Sequence, residues 1–139
     1  MKLKTLIFMT AAALSLLPLQ AGAQNTSDMK TFDPSFAHTV YFWLHNPDSP
    51  DDRQAFEASL RKFLSRSQYA KTNFIGTPPA ASREVVDGSF TYSLIVTFES
   101  AEAQAQYQKE QPHLDFIAES QHLWKKVIVY DSIGLDAGE

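Results

Sequence analysis

The sequence predicts an α+β domain in which a four-stranded antiparallel sheet carries helices on one face. Three observations lead there. Phe36–Leu44 and residues 90–98 are rich in aromatic and β-branched side chains and read as strands. A capped amphipathic stretch lies between them, and a second, interrupted by Pro112, follows them. Two weaker strands complete the order strand, helix, strand, strand, broken helix, strand, the split βαβ arrangement when the crossovers are right-handed.

The domain does not begin at residue 1. Lys2 and Lys4 precede a largely apolar run from Leu6 to Leu17, interrupted only by Thr10 and Ser15. Pro18 ends it, and Ala21-Gly22-Ala23 supplies a small-x-small cleavage site before Gln24. Residues 1–23 are therefore expected to be a cleaved signal peptide, since about 20 apolar residues are needed to span a bilayer. The rival reading is an uncleaved anchor. Residues 24–35 are polar and without period, a flexible lead-in to a domain at 36–133, and 134–139 form a short tail. Export to the periplasm or the medium follows, with no stable membrane anchor. The sequence contains no cysteine, so the fold has no disulfide, metal thiolate or cysteine nucleophile. Its formal charge is −4, and two units more negative without Lys2 and Lys4. No basic cluster is left to form a nucleic-acid footprint.

Alternation along the first strand sends Phe36, His38, Val40, Phe42 and Leu44 to one face and Ala37, Thr39, Tyr41 and Trp43 to the other. Asn46-Pro47-Asp48 ends the strand as a turn. Ser49 then caps a helix with Pro50 in its first turn and Asp51 and Asp52 at the positive end of the dipole. Phe56, Leu60, Phe63 and Leu64 form its buried stripe, and it should end near Ser67. Residues 69–75 read as an edge strand, interrupted by Lys71 and Asn73. An irregular connection follows, with an extended piece at Val85-Val86 and a turn at Asp87-Gly88. After the strand at 90–98, Ser100 caps a helix running to Lys109, Pro112 restarts it over 113–124, and 127–133 is the last strand.

This is a ferredoxin-like βαββαβ plan. Thr39, Tyr41, Trp43 and Ile95 share the sheet face away from the helices, and an apolar face of that size is not normally left bare. A homodimer with two such faces closed into an α/β barrel is the simplest cover.

The chemistry-bearing residues fall on the other face. His113, Phe116, Ile117, Ser120 and Trp124 recur at helical spacing, and Tyr107 lies just before the proline break. His38 points from the first strand toward the same layer. Two imidazoles and a phenol thus converge in an apolar setting, with Phe42, Phe116 and Ile117 as pocket walls. Burial would keep an imidazole neutral and available as a base. The competing account makes both histidines core residues bonded to a carbonyl or hydroxyl. His45 and His122 are expected in solvent. Glu110 with His113 and Glu119 with His122 each offer only two ligands, so no metal is expected, and no phosphate loop or nucleophile elbow is present. No cofactor is expected either.

Ala37-His38-Thr39-Val40-Tyr41-Phe42 resembles the opening of stress-responsive α/β-barrel (Dabb) domains. So do Arg83-Glu84-Val85-Val86-Asp87, Tyr92-Ser93-Leu94, Thr97-Phe98-Glu99-Ser100, Tyr107 six residues before His113, Leu123-Trp124-Lys125 and Val129-Tyr130-Asp131. The resemblance covers nearly the whole domain. It implies a ferredoxin-like protomer and a barrel-forming homodimer. The family includes a polyketide cyclase branch, in which a strand histidine and a tyrosine–histidine pair on the later helix act as acid and base. His38, Tyr107 and His113 look like the matching positions. Where the family often has His-Pro-x-His, this chain reads Glu110-Gln111-Pro112-His113. Three functions are therefore carried forward. The first is a domain that holds a small apolar or aromatic molecule, the second a cyclase-like or other proton-transfer enzyme, the third a purely structural stress protein.

Overall fold

The computed structural model describes residues 35–135. The expected signal peptide, most of the lead-in and the end of the tail lie outside the described residues. No helix among the described residues is long and apolar enough to cross a membrane.

The element order is β1 (Phe36–Leu44), α1 (Pro50–Arg66), β2 (Thr72–Gly76), β3 (Tyr92–Phe98), α2 (Ala101–Tyr107), α3 (Gln111–Ser120), a 3-10 turn (Gln121–Leu123) and β4 (Trp124–Ile133). The sheet is four-stranded in the order β2-β3-β1-β4, and every neighbouring pair is antiparallel. The ferredoxin-like expectation holds. β1 alternates buried and half-buried along its whole length, as its two-faced sequence requires. Ser49 caps α1 by accepting from the Asp52 amide at 3.3 Å. The α1 stripe of Phe56, Leu60, Phe63 and Leu64 is buried against the sheet.

Several boundaries move: β3 starts at Tyr92 rather than Phe90, α2 ends at Tyr107 rather than Lys109, α3 starts at Gln111 rather than His113, and β4 starts at Trp124 rather than Val127. β2 starts at Thr72 rather than Tyr69, because the Ser67 hydroxyl accepts from the Ala70 amide and holds 67–70 in a turn. Val85 and Val86 form no strand, and the Val86 amide instead closes a turn on the Arg83 carbonyl. The last helix stops at Ser120, not Trp124. A 3-10 turn then rotates Trp124 into β4, opposite Leu44, where its ring packs on Phe42 (centroids 5.3 Å) and Phe116 (5.6 Å). Burying the indole against two rings outweighs a further helical turn.

The face away from the helices is less bare than the sequence suggests. Thr39, Tyr41, Trp43 and Ile95 are half-buried, and Tyr41 lies edge-on between Phe90 and Tyr130. Phe74 and Tyr130 remain 57% and 59% exposed. β1 and β3 are roofed by the helices, whereas β4 is an edge. Its helix-side residues Val127 and Val129 keep 43% and 46% of their surface exposed. The roof stops short there, and that gap positions the site.

Candidate functional site

His38 is 4% exposed and lies in mid-strand on the helix side of β1, paired in register with Asp131 of β4. Its Nδ1 donates to the Asp131 carboxylate at 2.6 Å. That bond places a proton on Nδ1 and fixes the ring's orientation.

Tyr107 and His113 are brought together by the break between α2 and α3. In one continuous helix, residues six apart would point about 120° away from each other. Pro112 sits in the first turn of α3 and cannot continue α2, so a new helix starts at Gln111 and re-aims His113. The Tyr107 and His113 rings then lie 5.3 Å apart, and Tyr107 is 5.9 Å from His38. Phe98 and Phe63 fix the phenol from two sides, at 4.8 and 5.0 Å.

The protonation states follow from these surroundings. Burial raises the Tyr107 pKa far above its ordinary value, and the Glu110 carboxylate adds to the effect, so the phenol is a proton donor at any physiological pH. Burial also holds the His113 pKa below its usual 6.5, with His38 as a second cause, against the opposing Gln108 carbonyl and Glu110 carboxylate. The His113 Nδ1 atom is buried with no hydrogen-bond partner. At neutral pH His113 is an uncharged imidazole.

This shift has a consequence for stability. The unfolded chain takes up the His113 proton at a higher pH than the folded one, so acidification favours unfolding. Stability is full above pH 6.5 and falls as the pH drops from there toward the lower folded pKa. Urea unfolding of the protein and of His113→Gln, compared between about pH 7.5 and about pH 5, should show a shallower acid loss in the variant. Parallel curves would mean that His113 is not held neutral.

All six residues singled out from the sequence line one cavity of about 170 Å³: His38, Tyr107 and His113 at its polar end, with Phe42, Phe116 and Ile117 among its walls. Val40, Leu94, Phe63 and Trp124 add further apolar surface, and Val127 and Val129 form the rim toward the β4 edge. The arrangement can hold a small molecule by its apolar body and present two imidazoles and a phenol to a polar atom. His45 and His122 are exposed. Glu119 bonds Lys62 and Ser59 between α3 and α1. Among the described residues, no group of three or more His, Asp or Glu is placed to hold a metal ion. Sequence reasoning gave Asp131 no role in the site. Its signal was there: it is the single charge among Val127, Val129 and Ile133 on one side of β4, and the register sets it opposite the single polar residue on that side of β1.

Comparison with known proteins yields no curated protein that matches. Among solved structures, the chain is 20% identical to a hydroxynitrile lyase from Passiflora edulis, covering 75% of this chain and 97% of that one with a TM-score of 0.63. A Dabb family protein with a ferredoxin-like fold from Mesorhizobium loti is 18% identical, over 72% and 96% of the two chains, with a TM-score of 0.61. A dimeric ferredoxin-like protein of unknown function from Thermobifida fusca is 13% identical, over 71% and 90%, with a TM-score of 0.58. At these identities the likeness is one of fold. The profile of the Stress responsive A/B Barrel Domain matches residues 36–133, the whole span from β1 to β4, and the chain belongs to that family, Dabb.

Proposed function

We propose that the protein binds a small apolar or aromatic molecule between the sheet and α3, with a carbonyl or hydroxyl oxygen of that molecule at the His38–Tyr107–His113 end. One observation carries this reading: three proton-bearing groups converge at one end of a cavity whose other walls, Gln108 apart, are apolar. A volume of about 170 Å³ suits a single ring with a short substituent. Apolar cavities of about 150 Å³ hold benzene. The chain has two tryptophans, and only Trp124 lines this cavity, so its indole N–H signal in a ¹H–¹⁵N spectrum is a local reporter. Titration with acetophenone should shift the Trp124 and His113 signals saturably in the low-millimolar range, roughly 4 kcal/mol of binding. If neither signal moves, and His113→Ala and His38→Ala each lower stability by more than ~2 kcal/mol, the histidines are packing and the protein is structural.

A second reading, proton transfer on a carbonyl compound in the manner of the cyclase branch, is favoured by a further observation. His38 is oriented by Asp131, His113 is kept uncharged and Tyr107 is kept protonated, which supplies a group to bind a carbonyl, a base and an acid in one cavity. The name of the Passiflora edulis neighbour, a lyase, is in keeping with catalysis on this fold.

The same proposal includes a homodimer closed through the sheet face that carries Thr39, Tyr41, Trp43 and Ile95. Support comes from the exposed Phe74 and Tyr130 beside those residues and from the dimeric Thermobifida fusca neighbour. Sedimentation at about micromolar concentration should give two subunits, and Ile95→Lys should give one. Residues 1–23 would direct export to the periplasm or medium, and a mature protein starting at Gln24 is the expected mass.

A further inference from the structure

We propose that Glu110 is a positioning residue for His113: its carboxylate orients the imidazole and stabilises the imidazolium formed when that ring takes a proton from a ligand. The inference rests on the proton-transfer reading of the cavity and adds a group that stands outside it. His113 and Tyr107 line the cavity, whereas Glu110 lies behind them and does not.

Local structure places the two side chains together. Glu110 is the N-cap residue of α3, with an extended backbone, and His113 is the third residue inside the helix. Those two positions meet across the first turn, so an N-cap oxygen ordinarily accepts from the third amide. Here it does not. The α3 N-terminus has no side-chain cap bond, and the His113 amide donates to the Glu110 carbonyl at 3.1 Å instead. The carboxylate is turned aside to the Gln68 amide, which donates to Oε2 at 3.0 Å. That bond ties the turn after α1 to the start of α3 and holds the Glu110 side chain in place.

A tether needs only one oxygen. The other, Oε1, is buried with no hydrogen-bond partner, and so is Nδ1 of His113. A carboxylate oxygen withdrawn from water without a donor is costly. The two orphaned atoms belong to residues three apart at the start of one helix, where side chains are neighbours. One is an acceptor, and the other is a donor whenever the ring is charged.

Few charged or titratable groups act on His113. His38 faces it from β1 and Tyr107 from α2, while α1 presents only the Phe63 ring, at 5.2 Å. Among the described residues Glu110 supplies the carboxylate charge that favours the imidazolium, against burial and the His38 ring. The same charge keeps the Tyr107 phenol protonated. One anion behind the cavity wall therefore strengthens the base and preserves the donor.

Glu110→Gln keeps an oxygen for the Gln68 amide and removes the charge. The titration midpoint of the His113 Cε1–H signal should fall by about half a unit or more in this variant, with the unfolding midpoint nearly constant. In the unaltered protein the Glu110 carboxyl ¹³C signal should move as His113 titrates, because coupling between two sites is reciprocal. That measurement does not depend on the variant folding. An unmoved His113 midpoint, or a Glu110 carboxyl signal blind to the His113 titration, would make Glu110 a tether and overturn the proposal. Exchange of the acetophenone methyl protons in deuterium oxide then separates the two readings. The protein should accelerate it, His113→Ala should abolish the acceleration, and Glu110→Gln should reduce it about two- to threefold. Acceleration lost in His113→Ala but unchanged in Glu110→Gln would overturn the role of Glu110 alone. No acceleration by the unaltered protein would overturn the proton-transfer reading, and this proposal with it.

Discussion

Replacing Phe56 with alanine is expected to cost about 3–5 kcal/mol, a large share of the roughly 5–15 kcal/mol that holds a typical domain together. Phe56 is fully buried on α1 and has four aromatic neighbours: it stacks on Tyr92 at 4.9 Å and meets Phe42 edge-on at 5.0 Å, Phe116 at 6.0 Å and Trp124 at 6.1 Å. Those four come from β3, β1, α3 and β4, so truncation opens a void where all the layers meet. Rings held by backbone on several sides cannot collapse inward to refill it. Chemical denaturation should show a lowered midpoint with an unchanged slope. A loss under about 1.5 kcal/mol, the cost of a volume-conserving swap, would mean that the ring cluster is loosely packed. Phe42 and Phe116 also wall the cavity, so this variant should lose ligand binding along with stability.

How much of this was legible beforehand depends on whether the deciding interaction was local. β1 and the start of α1 are set by neighbours in the chain: strict alternation from Phe36 to Leu44, then Ser49-Pro50-Asp51-Asp52 to cap and orient the helix. Both read true. β2 and β4 are edge strands, each defined by its partner. Tyr69 and Ala70 carry β-compatible side chains, yet the Ser67 hydroxyl keeps them in a turn. Trp124 fits a helical stripe by spacing, but the burial available beside Phe42 and Phe116 places it in a strand. Local period cannot register a contact with residues dozens of positions away.

The site divides in the same way. His38 and His113 were found because each is a polar group in an apolar pattern, and Tyr107 because it lies just before the proline that announced a change of helix direction. Asp131 was assigned no part because its meaning depends on the β1–β4 register, which sets it opposite His38. The opening of the cavity at the β4 edge was equally hidden. It arises because the helical roof covers β1 and β3 and stops short of β4, leaving Val127 and Val129 partly bare.

If the cavity transfers protons, His113→Ala should reduce turnover of a β-polyketide-like carbonyl compound by about 10²–10⁴-fold, the usual worth of a positioned acid or base. The fold should persist, since His113 is only half-buried and its Nδ1 has no partner to lose. Tyr107→Phe separates chemistry from packing. The ring contacts to Phe98, Phe63 and His113 survive, and only the hydroxyl is removed. Turnover should then fall while the unfolding midpoint stays nearly constant. Asp131→Asn tests orientation: an amide carries no charge and can present an N–H donor as well as an oxygen acceptor to His38, so the proton on Nδ1 and the ring's orientation are no longer fixed. Its effect should appear mainly as a lower rate and an altered acid limb of the pH profile, with substrate affinity little changed. Because the His113 pKa is depressed, the rate should hold as pH falls through 6.5 and decline only below it. A rate indifferent to His113→Ala, with acetophenone still bound, would make the protein a carrier and remove the catalytic reading alone.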